Sequence, residues 1–137
     1  MKYTCDGEGV SPPLYWDTPP NGTQSYAIIL SNPDSTSGSG WAYWVLFNIP
    51  ADLRELPEAV PPEPELDDGT QHGRNSEMWL RYTGPCPPFT QRCLFRLYAL
   101  DTMLDLEPGV SKEELLQAMQ GHILAQGDLM TKYKRLK

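Results

Sequence analysis

The apolar positions change period several times along the chain, and the changes mark its elements. Residues 25–30, Ser-Tyr-Ala-Ile-Ile-Leu, form an almost unbroken apolar run. So short a run of aromatic and β-branched residues predicts a strand buried on both faces. Residues 41–49, Trp-Ala-Tyr-Trp-Val-Leu-Phe-Asn-Ile, predict a second strand, ended by Pro50, because proline cannot donate to a ladder. Residues 92–100 predict a third. There Cys93, Phe95 and Leu97 alternate with Arg92, Leu94, Arg96 and Tyr98, which leaves one face fully apolar. Leu14, Tyr15 and Trp16 make a short apolar piece, and residues 77–82 a further short strand. Residues 111–120 alone read clearly as a helix. Leu115, Leu116 and Met119 share its apolar face, Ser111 and Glu114 have capping-box spacing, and Gly121 follows as a stop. Beyond it, Ile123-Leu124 and Gly127 favour a last strand over a helix within residues 122–133.

The intervening segments carry turn chemistry. Asp6-Gly7, Ser11-Pro12-Pro13, Thr18-Pro19-Pro20 and Asn21-Gly22 mark turns. Asn32-Pro33-Asp34 stops the first long strand, and residues 35–40 form a small-residue loop. Residues 51–70 read as an acidic, proline-dotted excursion with one helical turn near residues 52–56, and residues 71–75 as polar. Gly84-Pro85-Cys86-Pro87-Pro88 is a rigid loop, since each proline fixes its own φ and restricts the residue before it.

Composition sharpens this picture. Fourteen prolines and eleven glycines make up roughly 18% of the 137 residues, against an average near 12%. That disfavours a helical bundle, whose helix interiors they would break or weaken. The 39% apolar content, with 4 Trp, 7 Tyr and 3 Phe, disfavours disorder. The expectation is one domain, residues 1–137, of all-β or β-rich sandwich class.

The formal net charge of −7 lacks the basic footprint of a nucleic-acid binder. Acidic residues crowd residues 52–68 and basic ones residues 132–137; both are expected to be solvated surface. Four basic charges with no apolar partner give no stable membrane anchor. No signal peptide or spanning run is visible, so a cytoplasmic protein is expected unless a leader precedes Met1. Cys5, Cys86 and Cys93 show no C-x-x-C spacing and only His72 and His122 accompany them, which disfavours zinc. Free thiols are the cytosolic default; Cys5 and Cys86, in glycine- and proline-rich loops, are the pair that a disulfide would join. No nucleophile elbow, zinc-protease or Walker motif is present, and neither histidine has an evident partner. No enzyme activity and no cofactor are expected, and both histidines are read as structural or surface groups.

Several loops together resemble the phosphatidylethanolamine-binding protein (PEBP) family, in its bacterial Raf-kinase-inhibitor-like branch. The matching pieces are Cys5-Asp6-Gly7-Glu8-Gly9-Val10-Ser11-Pro12-Pro13-Leu14 with Trp16, Asn32-Pro33-Asp34, Gly40-Trp41-Ala42-Tyr43-Trp44 leading into Asn48-Ile49-Pro50, Gly73-Arg74-Asn75, Tyr82-Thr83-Gly84-Pro85-Cys86-Pro87-Pro88, and Leu97-Tyr98-Ala99-Leu100-Asp101. They stand in family order and span almost the whole chain. The resemblance implies a two-sheet antiparallel Greek-key sandwich with a short helix near the C-terminus. It also implies a small surface pocket for a phosphate-like anion or phospholipid head group, and no catalysis. Some members act instead on kinases or serine proteases, and some dimerise, so the resemblance leaves a protein partner, and monomer or homodimer, open.

On that resemblance the pocket residues are Asn32, Asp34, Tyr43, Trp44, Gly84, Pro85, Pro87, Pro88 and Gln91. The chain departs from the family pattern at its ionisable positions. Asn32 replaces an Asp, Thr36 a Pro and Tyr43 a His, and Gln91-Arg92-Cys93 replaces a His-Arg-Tyr run. Two pH-tunable imidazoles thus give way to neutral hydroxyl and amide donors. Such a pocket either holds an anion by hydrogen bonds, more weakly and with little pH dependence, or is vestigial and filled by Tyr43 and Gln91. In the second case the acidic residues 52–68 are the candidate protein-contact surface.

Overall fold

The computed structural model describes residues 14–16, 19–32, 41–57, 60, 63–75, 80, 94–128 and 130–131, and the backbone alone at 32, 41, 42, 94, 128, 130 and 131. Its elements run β1 (Leu14–Tyr15), β2 (Ser25–Asn32), β3 (Trp41–Pro50), β4 (Glu55–Leu56), β5 (Gln71–His72), β6 (Leu94–Leu100), α1 (Lys112–Met119), β7 (Ile123–Asp128) and β8 (Met130–Thr131). All strand pairings among the described residues are antiparallel. A five-stranded sheet has the order β5-β3-β2-β6-β7, and a three-stranded one the order β4-β1-β8.

The unbroken apolar run of β2 is explained by its central place. Tyr26, Ile28 and Leu30 pack in a core with Leu14, Trp16 and Leu56, while Ala27 and Ile29 pack on the opposite face with Leu115 and Met119. The five-stranded sheet is therefore covered on both faces. β6 is covered in the same way: Phe95 and Ala99 join the first core, and Tyr98 and Leu100 the second. The face of β6 opposite Phe95 is thus apolar too where helix α1 covers it.

Residues 52–56 depart from the expected helical turn. A turn at Ala51 and Asp52 leads directly into β4. Leu56 is buried and pairs with Leu14, so burial against β1 outweighs the local helical pattern. Arg54 closes the turn, donating to the Ala51 carbonyl at 2.8 Å and to the Tyr26 hydroxyl at 3.1 Å. Residues 71–75 also depart from a merely polar reading, because His72, Gly73 and Asn75 are buried. The strand expected at residues 77–82 and the Cys5–Cys86 pair lie outside the described residues.

Strand β3 carries two irregularities that fix its shape. Between Tyr26↔Ile49 and Ile28↔Leu46, β3 spends three steps against two on β2. Within that step Asn48 sits at φ 56, the left-handed region that asparagine tolerates better than most residues. Its side chain exploits the bend: Nδ2 donates to the Leu104 carbonyl at 2.9 Å and to Gln71 Oε1 at 2.8 Å, and Oδ1 accepts from Leu104 N–H at 2.8 Å. One buried amide so ties the loop before α1 to the sheet. The second irregularity lies between Leu30↔Trp44 and Ser31↔Ala42, where Tyr43 is the extra residue.

The helix forms as its spacing predicts. Glu114 N–H donates to Ser111 Oγ at 3.1 Å, and Ser111 N–H to Glu114 Oε1 at 2.8 Å. These bonds satisfy two donors that the first turn would leave open. Gly121, at φ 82, ends it.

Candidate functional site

Tyr43 and Trp44 are the two proposed pocket residues whose side chains the structure describes. Consecutive strand residues ordinarily face opposite ways. The bulge at Tyr43 breaks that alternation, and both rings join the same core with Trp16, Tyr26 and Leu30. Bulges that re-aim a side chain are common beside functional sites. Tyr43 keeps 8% of its surface exposed, whereas Trp44 is fully buried. The backbone at the same end of the sheet pairs Asn32 with Trp41 and Ser31 with Leu94. Asp34, Thr36, Gly84, Pro85, Pro87, Pro88, Gln91 and Cys93 lie outside the described residues, as does the side chain of Asn32.

A buried polar frame stands behind the two rings. Trp44 Nε1 donates to His72 Nε2 at 3.0 Å. An indole nitrogen can only donate, so Nε2 accepts and the ring proton is on Nδ1. Nδ1 then donates to the Glu63 carbonyl at 2.6 Å. Burial drives the His72 pKa below its ordinary 6.5, and the bond to the Glu63 carbonyl partly opposes this. The imidazole is therefore neutral at pH 7. Beside it, Asn75 Nδ2 donates to the Tyr43 carbonyl at 3.1 Å and holds the bulge.

Gly73 lets this frame close. A Cβ there would stand 2.6 Å from the Val110 carbonyl oxygen and 2.8 Å from Val45 Cγ1. The bare backbone instead donates from Gly73 N–H to the Val45 carbonyl at 3.0 Å, and from Arg74 N–H to the Val110 carbonyl at 2.8 Å. Sequence reasoning did not foresee the roles of His72 and Asn75. The segment Gly73-Arg74-Asn75, already notable as a family-like piece, was the available signal. His122, likewise expected to lack a partner, meets Asp101 Oδ1 at 2.8 Å on the surface.

Among the described residues no group of three or more His, Cys, Asp or Glu could hold a metal ion. Among them, too, no helix is long and apolar enough to cross a membrane.

Among the described residues, two antiparallel sheets around an aromatic core, with one short helix on the outer face of the larger, form a small β-sandwich. Residues 1–134 match the family profile described as phosphatidylethanolamine-binding protein. A UPF0098 protein of Methanothermobacter thermautotrophicus is 52% identical over 135 residues, covering 98% of this chain and 89% of its own. Another, from Pyrococcus horikoshii, is 39% identical, covering 98% of this chain and 69% of its own. Among solved structures, a phosphatidylethanolamine-binding protein homolog from Chlamydia trachomatis superposes with a TM-score of 0.83 at 34% identity, covering 98% of this chain and 88% of that one. An E. coli member of the mammalian PEBP family gives a TM-score of 0.80 at 28% identity, covering 96% and 84%. The chain belongs to the phosphatidylethanolamine-binding protein family.

Proposed function

We propose that this chain is a non-catalytic binding module whose pocket takes a small phosphate-bearing head group through neutral donors. The observation that carries the reading is the bulge at Tyr43, which turns Tyr43 to the same side as Trp44 and is held there by Asn75. A plain strand would separate the two rings. Maintaining the bulge takes buried hydrogen bonds, and a preorganised wall of this kind loses little entropy on binding. The family's name points to phosphoethanolamine as the head group. With tyrosine in place of a pocket imidazole, and Asn32 and Gln91 as neutral amides, recognition relies on hydrogen bonds rather than on a charged base. Such binding is weak, on the order of millimolar, as expected when few neutral hydrogen bonds supply the affinity.

The test is an NMR titration with phosphoethanolamine and, separately, inorganic phosphate. Saturable shifts of the Tyr43, Trp44 and residue 84–88 amides support the reading, and unmoved amides at millimolar ligand refute it. Response to phosphoethanolamine alone identifies the head group, and response to both identifies phosphate as the recognised part. A turnover screen with esters and phosphoesters tests the absence of catalysis. A second reading, a protein-contact role for the acidic excursion, is favoured by the exposure of Glu63, Glu65, Asp67 and Asp68. Its test is a pull-down with the charge-reversed loop: an unchanged set of partners rejects it.

A further inference from the structure

His72 is buried at 1% exposure and is held on every side. Its backbone N–H donates to the Pro64 carbonyl at 2.8 Å, and its carbonyl accepts from Gly109 N–H at 2.9 Å. On β5 it lies opposite Leu46 of β3, two residues from Trp44. The ring therefore cannot retreat without disturbing three segments. Its two nitrogens have unlike duties: Nδ1 donates to a carbonyl, and Nε2 accepts from an indole that has no acceptor to offer in return.

These duties respond differently to a proton. The imidazolium keeps, and strengthens, the bond from Nδ1 to the Glu63 carbonyl. At Nε2 the new N–H points at the Trp44 N–H, donor against donor. We propose that His72 is an acid-responsive positioning residue for the Trp44 wall: protonation at Nε2 expels the Trp44 indole hydrogen bond while the Glu63 bond stays. The ligand consequence rests on the binding reading above; the link between His72 and Trp44 does not.

The charged groups around the ring leave this logic intact. From the excursion packed on it come Glu63 and Glu65, both exposed. From the segment before α1 come Asp105 and Glu107, also exposed, and α1 opens with the buried Lys112. Arg74, on the segment of His72 itself, is half-exposed and directed to Glu114 and the Gly109 carbonyl. Among the described residues His72 is in no ion pair, and none of their carboxylates relieves the clash at Nε2.

The experiment follows the Trp44 indole ¹H–¹⁵N resonance, assigned through Trp44→Phe, while pH is lowered on folded protein monitored by circular dichroism. In wild type it should shift with the midpoint of the His72 ring, below the ordinary 6.5. In His72→Gln, whose Oε1 accepts from the indole without titrating, it should stay. An indole that moves only when the whole chain unfolds, or moves equally in His72→Gln, overturns the proposal. If His72→Gln does not fold, Trp44→Phe decides: with the opposing donor gone, the His72 pKa should rise, and an unchanged or lower value overturns the proposal. The ligand arm compares phosphoethanolamine affinity of wild type and His72→Gln at about pH 7.5 and at a pH below the midpoint read from the indole titration, where the probe's own titration cancels between the two proteins. The wild-type to variant ratio should change roughly fivefold, one neutral hydrogen bond's worth. A constant ratio overturns the ligand coupling and leaves binding standing. No binding at either pH overturns the binding reading, and the indole titration still decides whether His72 positions Trp44.

Discussion

Asn48→Ala is the perturbation that most severely tests how the sheet is locked. Asn48 is 6% exposed and sits at φ 56 inside β3. Its amide gives and takes bonds with both backbone groups of Leu104, at 2.9 and 2.8 Å, and these contacts are buried. Alanine leaves the Leu104 N–H and carbonyl without partners, at about 1–2 kcal/mol each. It also places a Cβ residue in the left-handed region without the local hydrogen bonding that asparagine gains there, at about 1 kcal/mol. The loss is roughly 3–5 kcal/mol, a large share of the 5–15 kcal/mol typical of a domain. For this length it lowers Tm by about 10–15 °C. Asn48→Gly should be milder, because glycine adopts φ 56 freely while losing the same hydrogen bonds. Thermal melts by circular dichroism, with urea unfolding at 25 °C as a second measure, give both values. An Asn48→Ala Tm within about 2 °C of wild type refutes the reasoning, because even one unpaired buried group predicts more than that.

Other outcomes follow from the same structure. His72 has a folded pKa below its ordinary 6.5, so the unfolded chain binds its proton first. Its contribution is full above pH 6.5 and is lost as pH falls toward the folded pKa; urea melts across pH 7.5 to 5 should show this slope in wild type and a shallower one in His72→Gln. Gly73→Ala forces a Cβ to within 2.6 Å of the Val110 carbonyl oxygen and should cost about 2–3 kcal/mol in chemical denaturation. Ser111→Ala removes the N-cap acceptor of Glu114 N–H and should cost about 1 kcal/mol, read as a Tm drop of a few degrees.

The long strands were legible because burial on both faces leaves an unbroken apolar signature, and β2 shows it in residues 26–30. The helix was legible because Ser111, Glu114 and Gly121 encode its ends locally. Other features depend on partners far along the chain. Nothing near Leu56 announces that it pairs with Leu14, so residues 52–56 read as a helical turn instead of β4. The bulge at Tyr43 is equally invisible in an apolar run, where alternation cannot be seen to slip. His72 looked unpartnered because its acceptor and donor, Glu63 and Trp44, belong to an excursion and a strand that only the fold brings together. The family resemblance supplied the topology that periodicity could not. The exchanged ionisable positions came from direct comparison with the family pattern, and their consequence for binding depends on the space in front of Tyr43.

That space measures most directly whether the chain takes a phosphate-bearing head group. A crystal structure from crystals soaked in phosphoethanolamine should show its phosphate between Tyr43, Gln91 and the Gly84–Pro88 loop, with the Trp44–His72 hydrogen bond kept. Tyr43 and Gln91 filling that space, with no ligand density at millimolar concentration, would contradict head-group binding.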